Sequence, residues 1–181
     1  MPFTASDNAP HVLVAYASKH GSTFEIAQAI TDELRRHGLA VDCTPAAAVR
    51  EISSYDAVVI GSAVYMKRWQ PDAKRLLHRH HDELAARPLW IFSSGPFGEH
   101  PNADWAEPPR VVREATKLGA RDRAVFGGRL PTEPKGFIEK AMVRDTPPEF
   151  ADLRDWDEIR AWAAGVAVQV LADVIPAAPR S

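Results

Sequence analysis

The sequence predicts an α/β fold in which helices cover both faces of a doubly wound, five-stranded parallel sheet. Short apolar runs alternate with segments of helical periodicity along most of the 181 residues. The third run, residues 55–61, is apolar along its length, which is typical of a strand covered on both faces. For the strand order 2-1-3-4-5, we expect the ligand crevice between the loops that follow strands one and three.

The predicted strands are bounded by turn residues and cover residues 12–17, 39–44, 55–61, 89–93 and 123–127. The predicted helices cover residues 23–37, 71–87 and 109–118, and a last helix follows Asp155. The spacing of Ser22 and Glu25 predicts a capping box at the first helix. Asp155 and Glu158 have the same spacing at the last helix.

The chain is interpreted as one domain that covers residues 11–175, and this length allows a sizeable core. Residues 1–10 and 176–181 are interpreted as flexible tails. Residues 129–154 are proline-rich and are interpreted as an insertion-like loop before the last helix. The residues themselves are compatible with a surface loop that has one amphipathic turn at residues 137–143.

Composition and charge exclude several classes of function. The formal net charge of −2 at pH 7 gives no electrostatic basis for binding nucleic acid. Cys43 is the only cysteine, which excludes an intramolecular disulfide and a multi-cysteine metal site. No apolar run is long enough for a transmembrane segment, and residues 1–10 lack the apolar core of a signal peptide. We therefore expect a cytoplasmic protein, and peripheral contact with a membrane stays open.

A histidine cluster in the second predicted helix is interpreted as a solvated helix face. It contains His78, His80 and His81, of which only His78 and His81 share a face. The spacing of these residues does not match a zinc-binding motif. The sequence therefore predicts no metal site.

The loop after the first strand carries the strongest functional signal in the chain. It has the sequence Ser18-Lys19-His20-Gly21-Ser22-Thr23 and leads directly into a helix. A helix N-terminus offers unpartnered N–H donors and a partial positive charge, which together suit a phosphate group. The spacing matches neither a Walker loop nor a dinucleotide-binding fingerprint. A polar turn with a good cap is the structural alternative, and it would account for Ser22 and Thr23 alone.

This loop resembles the phosphate loop of the flavodoxin family, Thr/Ser-x-Thr-Gly-x-Thr, with His20 in place of the middle hydroxyl. Residues 55–65 are similar to the strand and loop that border the flavin ring in that family, and residues 93–99 are similar to its third flavin loop. The resemblance implies a flavodoxin-like fold with FMN as the cofactor. It implies a phosphate site at Ser18, Lys19, His20, Gly21, Ser22 and Thr23, and a ring site at Ser62, Ala63, Val64, Tyr65, Ser94, Gly95, Pro96, Phe97 and Gly98.

Within this group, the chain looks closest to the menaquinone-dependent protoporphyrinogen dehydrogenases, which also have charged residues in the first loop and a basic, aromatic segment before the last helix. Residues 129–154 occupy the place of that segment, so a porphyrin or quinone site there stays open beside the surface loop. This resemblance implies an FMN-dependent oxidoreductase that takes electrons from a small molecule, such as a porphyrinogen, and passes them to a quinone. The alternative is a non-catalytic electron-transfer protein that shuttles electrons between partner proteins. A third interpretation is a flavodoxin-like domain that has lost its cofactor. No general acid or base stands out, so no catalytic residue is named.

Overall fold

Strands and helices alternate along the chain and build a parallel sheet between two layers of helices. The computed structural model describes residues 9–95 and 107–174. The strands of this part are β1 His11–Ala17, β2 Ala40–Pro45, β3 Ala57–Tyr65, β4 Arg68–Trp69, β5 Leu89–Gly95 and β6 Asp122–Gly127. Its helices are α1 Ser22–Arg36, α2 Pro71–Arg79, α3 His81–Ala85, α4 Pro109–Lys117, α5 Gly136–Asp145 and α6 Trp156–Val174, with a 3₁₀ turn at Pro148–Phe150.

The order of the strands confirms the predicted fold class. The five parallel strands lie in the order β2-β1-β3-β5-β6, which is 2-1-3-4-5 when the parallel strands alone are counted. β4 is an addition of two residues that pair antiparallel with the end of β3. The register pairs Ala17 with Ser62 and Ala63 with Ser94. The carboxyl ends of β1, β3 and β5 therefore meet at one edge of the sheet.

Alternate residues of the strands face two separate hydrophobic layers. In β1, Leu13 and Ala15 pack in the layer that includes α2 and α4, whereas Val12 and Val14 pack in the layer that includes α1 and α6. Burial of one such aliphatic side chain contributes about 1.5–3 kcal/mol to folding. The sheet edge at which the predicted site lies is thus supported from both faces.

The second predicted helix, residues 71–87, is wrong as a single element. The chain breaks at His80, between α2 and α3. His80 is buried, and its Nδ1 lies 2.9 Å from Glu83 Oε1. The interpretation of the histidine cluster as a solvated face is therefore wrong for this residue. Within residues 9–95 and 107–174, no group of three or more His, Cys, Asp or Glu side chains is arranged to hold a metal ion.

Two strands extend further than the sequence predicts. β3 continues to Tyr65 and β5 continues to Gly95, so residues 62–65 and 94–95 are strand rather than loop. β3 is longer because its last two residues pair with β4. The described part of the predicted ring site, residues 62–65 and 94–95, therefore lies on strand ends, which position side chains more firmly than loops do.

The capping box predicted at Ser22 and Glu25 is wrong. Gly21 is the N-cap residue of α1, with φ at +85°, and no side chain caps the helix. Ser22 Oγ instead accepts a hydrogen bond from the backbone N–H of Arg129 at 3.1 Å. The cap predicted at the last helix is present, because Asp155 Oδ1 accepts two backbone N–H bonds at 3.0 Å.

Residues 129–154 contain more structure than the single turn predicted at residues 137–143. A ten-residue helix, α5, lies there. Its packing does not follow an apolar stripe, because Phe137 is 84% exposed and Ile138 is also exposed. The buried residue of α5 is Glu139, a carboxylate. An electrostatic contact, rather than apolar burial, holds this helix against the domain.

Candidate functional site

A cleft opens at the carboxyl edge of the sheet, where β1, β3 and β5 end. Nine of the predicted residues line it: Lys19, His20, Ser22, Thr23, Ala63, Val64, Tyr65, Ser94 and Gly95. Three others are not in its lining, namely Ser18, Gly21 and Ser62. Pro96, Phe97 and Gly98 lie outside the described residues. The lining residues that the sequence did not predict are Met66, Gln70, Gly128, Arg129, Leu130, Pro131, Glu139 and Met142.

The first loop turns sharply at Gly21 and leaves the N-terminus of α1 open toward the cleft. Ser18 Oγ accepts a hydrogen bond from the Gly21 N–H at 3.0 Å, which closes the turn. A φ of +85° is strained for any residue with a Cβ atom, so glycine is required here. Since no side chain caps α1, the N–H groups of its first turn, which include those of Ser22 and Thr23, remain available to an anion.

A buried hydrogen bond joins the first loop to the end of β5. Thr23 Oγ1 and Ser94 Oγ lie 2.7 Å apart, and both side chains are buried. Each hydroxyl group can make further hydrogen bonds, because a hydroxyl carries one donor and two acceptor positions. The two walls of the cleft are therefore fixed to each other by the protein itself.

Ser62 has a structural role that differs from the predicted ring contact. Its side chain is buried, and its Oγ accepts a hydrogen bond from the Gln70 N–H at 2.9 Å. Close by, Trp69 Nε1 donates to Ser93 Oγ at 2.8 Å. These two bonds fix the β3–β4 hairpin against the sheet.

The turn of this hairpin has an unusual backbone conformation. Met66 and Lys67 both have positive φ, at 51° and 57°, between the paired residues Tyr65 and Arg68. Glycine or asparagine is usual in such two-residue turns, and each non-glycine residue in this region costs about 1–3 kcal/mol. The turn holds Met66 at the rim of the cleft, with 66% of its surface exposed.

Glu139 forms the outer wall of the cleft through three polar contacts. Lys19 Nζ donates to Glu139 Oε1 at 2.6 Å, and His20 Nε2 lies 3.0 Å from the same oxygen. The Lys135 N–H donates to Oε2 at 2.7 Å. These contacts lower the pKa of Glu139 to about 2, and the hydrogen bond from Lys19 is the largest cause. At pH 7 the residue is therefore an anion that is 3% exposed.

Lys19 also contacts the predicted ring site. Its Nζ lies 3.8 Å from the centroid of the Tyr65 ring, while its hydrogen bond to Glu139 raises the pKa of its ammonium group. The sequence predicts Lys19 and His20 as phosphate ligands, but both side chains are directed to Glu139. No local signal in the sequence could have identified this carboxylate, because it is 120 positions away from Lys19.

A second set of charges fixes the ends of the segment that carries α5. Arg129 and Asp152 form an isolated antiparallel β-bridge. Glu25 on α1 accepts hydrogen bonds from Arg129 at 2.8 Å and from Arg154 at 2.5 Å. Arg154 is buried and also pairs with Asp152 at 2.6 Å. The pKa of Glu25 is lowered, and the hydrogen bond from Arg154 is the largest cause of this shift.

Two glycines allow this segment to start close to the sheet. A Cβ atom at Gly127 would lie 1.8 Å from the Leu153 carbonyl oxygen, and one at Gly128 would lie 2.8 Å from that of Gly95. Both contacts are with backbone, which cannot move aside easily. The segment after β6 therefore passes directly over the end of β5 and borders the cleft.

The sequence matches one known family. The profile of the Flavodoxin domain covers residues 13–146, about three quarters of the chain. No curated protein matches the chain. None of the described helices has both the length and the apolar character needed to span a bilayer.

Solved structures with the same architecture include two flavodoxins and a larger oxidoreductase. A flavodoxin from the domain Archaea is similar with a TM-score of 0.58 at 15% identity, over 89% of this chain and 99% of that one. A flavodoxin from Pseudomonas aeruginosa gives 0.60 at 16% identity, over 89% and 99%. The rubredoxin oxygen:oxidoreductase of Desulfovibrio gigas gives 0.63 at 16% identity, over 93% of this chain and 38% of that one. The chain thus spans less than half the length of this last protein, and at these identities the likeness is one of fold.

Proposed function

This chain belongs to the flavodoxin domain family, and from that membership we propose that it is an FMN-dependent redox protein whose cofactor site is the cleft. Flavodoxin domains bind FMN, which confirms the cofactor predicted from the sequence. When bound, FMN supplies the electron and hydride chemistry. The residues of this chain would bind it, orient it and shield it from water.

The observation that carries the proposal is the uncapped N-terminus of α1 beside the buried pair of Thr23 and Ser94. Backbone N–H groups at the start of α1 and the Thr23 hydroxyl would bind the phosphate group, with the helix dipole adding favourable charge. The ammonium group of Lys19 forms an ion pair with Glu139, and His20 Nε2 lies 3.0 Å from the same carboxylate oxygen. The phosphate would therefore be bound by neutral donors, while Lys19 and His20 position α5.

The ring would lie between the ends of β3 and β5. Ala63, Val64 and Tyr65 form one side, and Ser94 with Gly95 forms the other. Leu130, Pro131 and Met142 of the 129–154 segment contribute apolar groups that would exclude water from the ring. We infer these positions from the residues that line the cleft and from the membership of the chain in the flavodoxin domain family.

We propose that the chain acts as an oxidoreductase on a small molecule or a quinone. Residues of the 129–154 segment that line the cleft support this activity, because an apolar wall can shape a pocket for a substrate. A more specific version of this proposal has a porphyrinogen as the substrate and a quinone as the electron acceptor. It rests on the resemblance of the first loop. A non-catalytic electron-transfer protein is the second candidate, and the exposed cations Lys67 and Arg68, next to the cleft residue Met66, favour it.

A titration of the apoprotein with FMN tests the cofactor site. We expect quenching of flavin fluorescence at a 1:1 ratio, and an affinity at least about tenfold weaker when Thr23→Ala and Ser18→Ala are combined. Thr116→Ala, which removes an exposed hydroxyl group from α4, is the matched control. Unchanged affinity in the double variant would show that the phosphate site is elsewhere.

Turnover assays separate the two candidate activities. The reduced, FMN-loaded protein is mixed with a menaquinone analogue or with a protein electron acceptor, and oxidation of the flavin is followed by absorbance. Fast oxidation by the quinone alone supports the oxidoreductase. Fast oxidation by the protein acceptor alone supports the electron carrier.

A further inference from the structure

A strongly basic surface lies beside the cofactor cleft. Residues 66–81 contain five lysine and arginine side chains and one carboxylate, in a chain whose formal net charge is −2. We define the basic face by these five exposed cations of the β3–β4 turn and α2: Lys67, Arg68, Lys74, Arg75 and Arg79. Positive charge is therefore concentrated in one short, exposed stretch of the chain.

Most of these charges have no compensating carboxylate. Among the described residues, Arg75 is the one member of the basic face that forms an ion pair, with Asp72. Arg79 donates to the backbone carbonyl of Val49 at 2.5 Å, which is a contact with a neutral group. An exposed set of like charges of this kind creates a local potential that attracts an acidic surface.

The basic face reaches the cleft through the β3–β4 turn. Met66 lines the cleft and adjoins Lys67 in the turn. Methionine is flexible and is enriched in the centre of protein interfaces. A partner that covers Met66 would therefore lie next to the proposed flavin and touch the basic face at the same time.

The conformation of the turn is fixed before any partner binds. Met66 and Lys67 have positive φ, and the bonds of Ser62 and Trp69 hold the hairpin to the sheet. Strained residues persist where the surrounding structure over-determines them, and they cluster at functional positions. A rigid contact point lowers the conformational cost of docking.

We propose that the basic face is the docking surface for an acidic redox protein that exchanges electrons with the FMN in the adjacent cleft. This inference rests on the proposed function for its electron-transfer step, but not for the docking itself. In one encounter the reduced partner would lose one electron from its own centre to an FMN bound in the cleft. A proton can follow from solvent, and a second encounter completes the two-electron reduction.

The burial of α2 favours a protein over a membrane as the occupant. The apolar side chains of this helix, Ala73, Leu76 and Leu77, are buried in the core. A helix that binds at a lipid interface inserts its apolar face, which α2 does not have available. Met66 is the exposed large apolar side chain within residues 66–81.

Stopped-flow kinetics with a defined probe test the proposal. The probe is a reduced, acidic [2Fe–2S] ferredoxin, and reduction of the FMN-loaded protein is followed at low and high salt. We expect the second-order rate constant to fall at least about tenfold between roughly 20 and 300 mM NaCl, because electrostatic steering is screened. Lys67→Glu combined with Lys74→Glu should lower the low-salt rate constant at least about tenfold and remove the salt dependence.

A control variant has the same change in charge at another surface. Arg36→Glu combined with Lys117→Glu alters exposed residues of α1 and α4, and it should keep the wild-type rate constant within about twofold. Equal rate constants in wild type and in the Lys67/Lys74 variant would overturn the proposal. The proposal would also be overturned if the wild-type protein binds vesicles that contain phosphatidylserine but not the ferredoxin, and the Lys67/Lys74 variant loses this vesicle binding.

Binding of the ferredoxin to the apoprotein, measured by calorimetry, separates this proposal from the function on which it rests. One result would be that the apoprotein binds the ferredoxin, the Lys67/Lys74 variant loses this binding, and neither protein takes up FMN. This result would support the docking surface and contradict the FMN function. The opposite result would be that all variants take up FMN equally and also bind the ferredoxin equally. This result would support the FMN function and overturn the docking surface.

Discussion

Lys19 and Glu139 are 120 positions apart in the chain and form an ion pair in which Nζ donates to Oε1 at 2.6 Å. The pair joins the first loop at the end of β1 to the buried side of α5. It makes α5 the outer wall of the proposed cofactor cleft. Because α5 has little apolar burial of its own, this wall depends on the carboxylate.

Glu139→Gln should loosen α5 while the sheet remains intact. Glutamine keeps the size of the side chain but loses the charge-assisted bonds to Lys19 and His20, which are about twice as strong as neutral ones. We expect amide hydrogen exchange in α5 to become roughly tenfold faster, and FMN dissociation to become faster as well. Glu133→Gln changes an exposed carboxylate of the same segment and should leave both rates unaltered. Unchanged exchange in the Glu139 variant would contradict this role.

The contribution of Glu139 should depend on pH in a defined window. Its pKa is lowered to about 2 from an ordinary value of 4.5, so the ionised form stabilises the folded protein above pH 4.5. This stability is lost as the pH falls from 4.5 toward 2. Thermal unfolding of wild type and of Glu139→Gln, followed by circular dichroism, should differ at pH 7 and converge over that window. A difference that stays constant down to pH 2 would show that the charge is not the cause.

Thr23→Val should destabilise the protein and weaken FMN binding together. Valine has a similar shape but leaves the buried Ser94 hydroxyl without its partner, which costs about 1–3 kcal/mol. Thr23→Ser keeps the hydroxyl and should restore most of both properties. Chemical denaturation and FMN titration measure the two effects. If serine fails to rescue FMN affinity, the methyl group rather than the hydroxyl matters.

Gly61→Ala should be strongly destabilising because of the Phe92 ring on β5. A Cβ atom at Gly61 would lie 1.9 Å from Phe92 Cζ, in a strand that is buried on both faces. Overpacking of this kind costs about 1–3 kcal/mol. Gly165→Ala, on α6 with no atom within 4 Å of the new Cβ, should instead stabilise by about 0.5–1 kcal/mol. Urea denaturation of both variants gives the comparison, and equal stabilities would contradict it.

Strand order and strand position could be predicted because they depend on local apolar runs. The same reasoning failed at His80, where Leu76, Leu77 and Leu84 continue the apolar pattern across a break in the helix. The pattern reports which residues are buried but not whether the backbone is continuous. Met66 gives a second example, because nothing in the residues of its turn indicates a hairpin.

The cleft that we propose as the cofactor site was predictable in part for a similar reason. Motifs at the strand ends identified the first loop, Thr23 and Ser94, and the sheet register brings them together. The partners of Lys19 and of Ser22 come from the 129–154 segment, more than 100 positions later in the chain. Such long-range contacts depend on the complete fold, so spacing within a motif cannot reveal them.

The β-bridge between Arg129 and Asp152 brings the two ends of one segment together beside α1. Because the chain departs and returns at the same place, residues between these two positions can change in number without displacing any strand. Doubling the length of such a closed loop costs only about 0.6 kcal/mol in entropy. This is the position at which descendants of the protein, or a protein engineer, can exchange one recognition segment for another while the sheet and its first loop stay as they are.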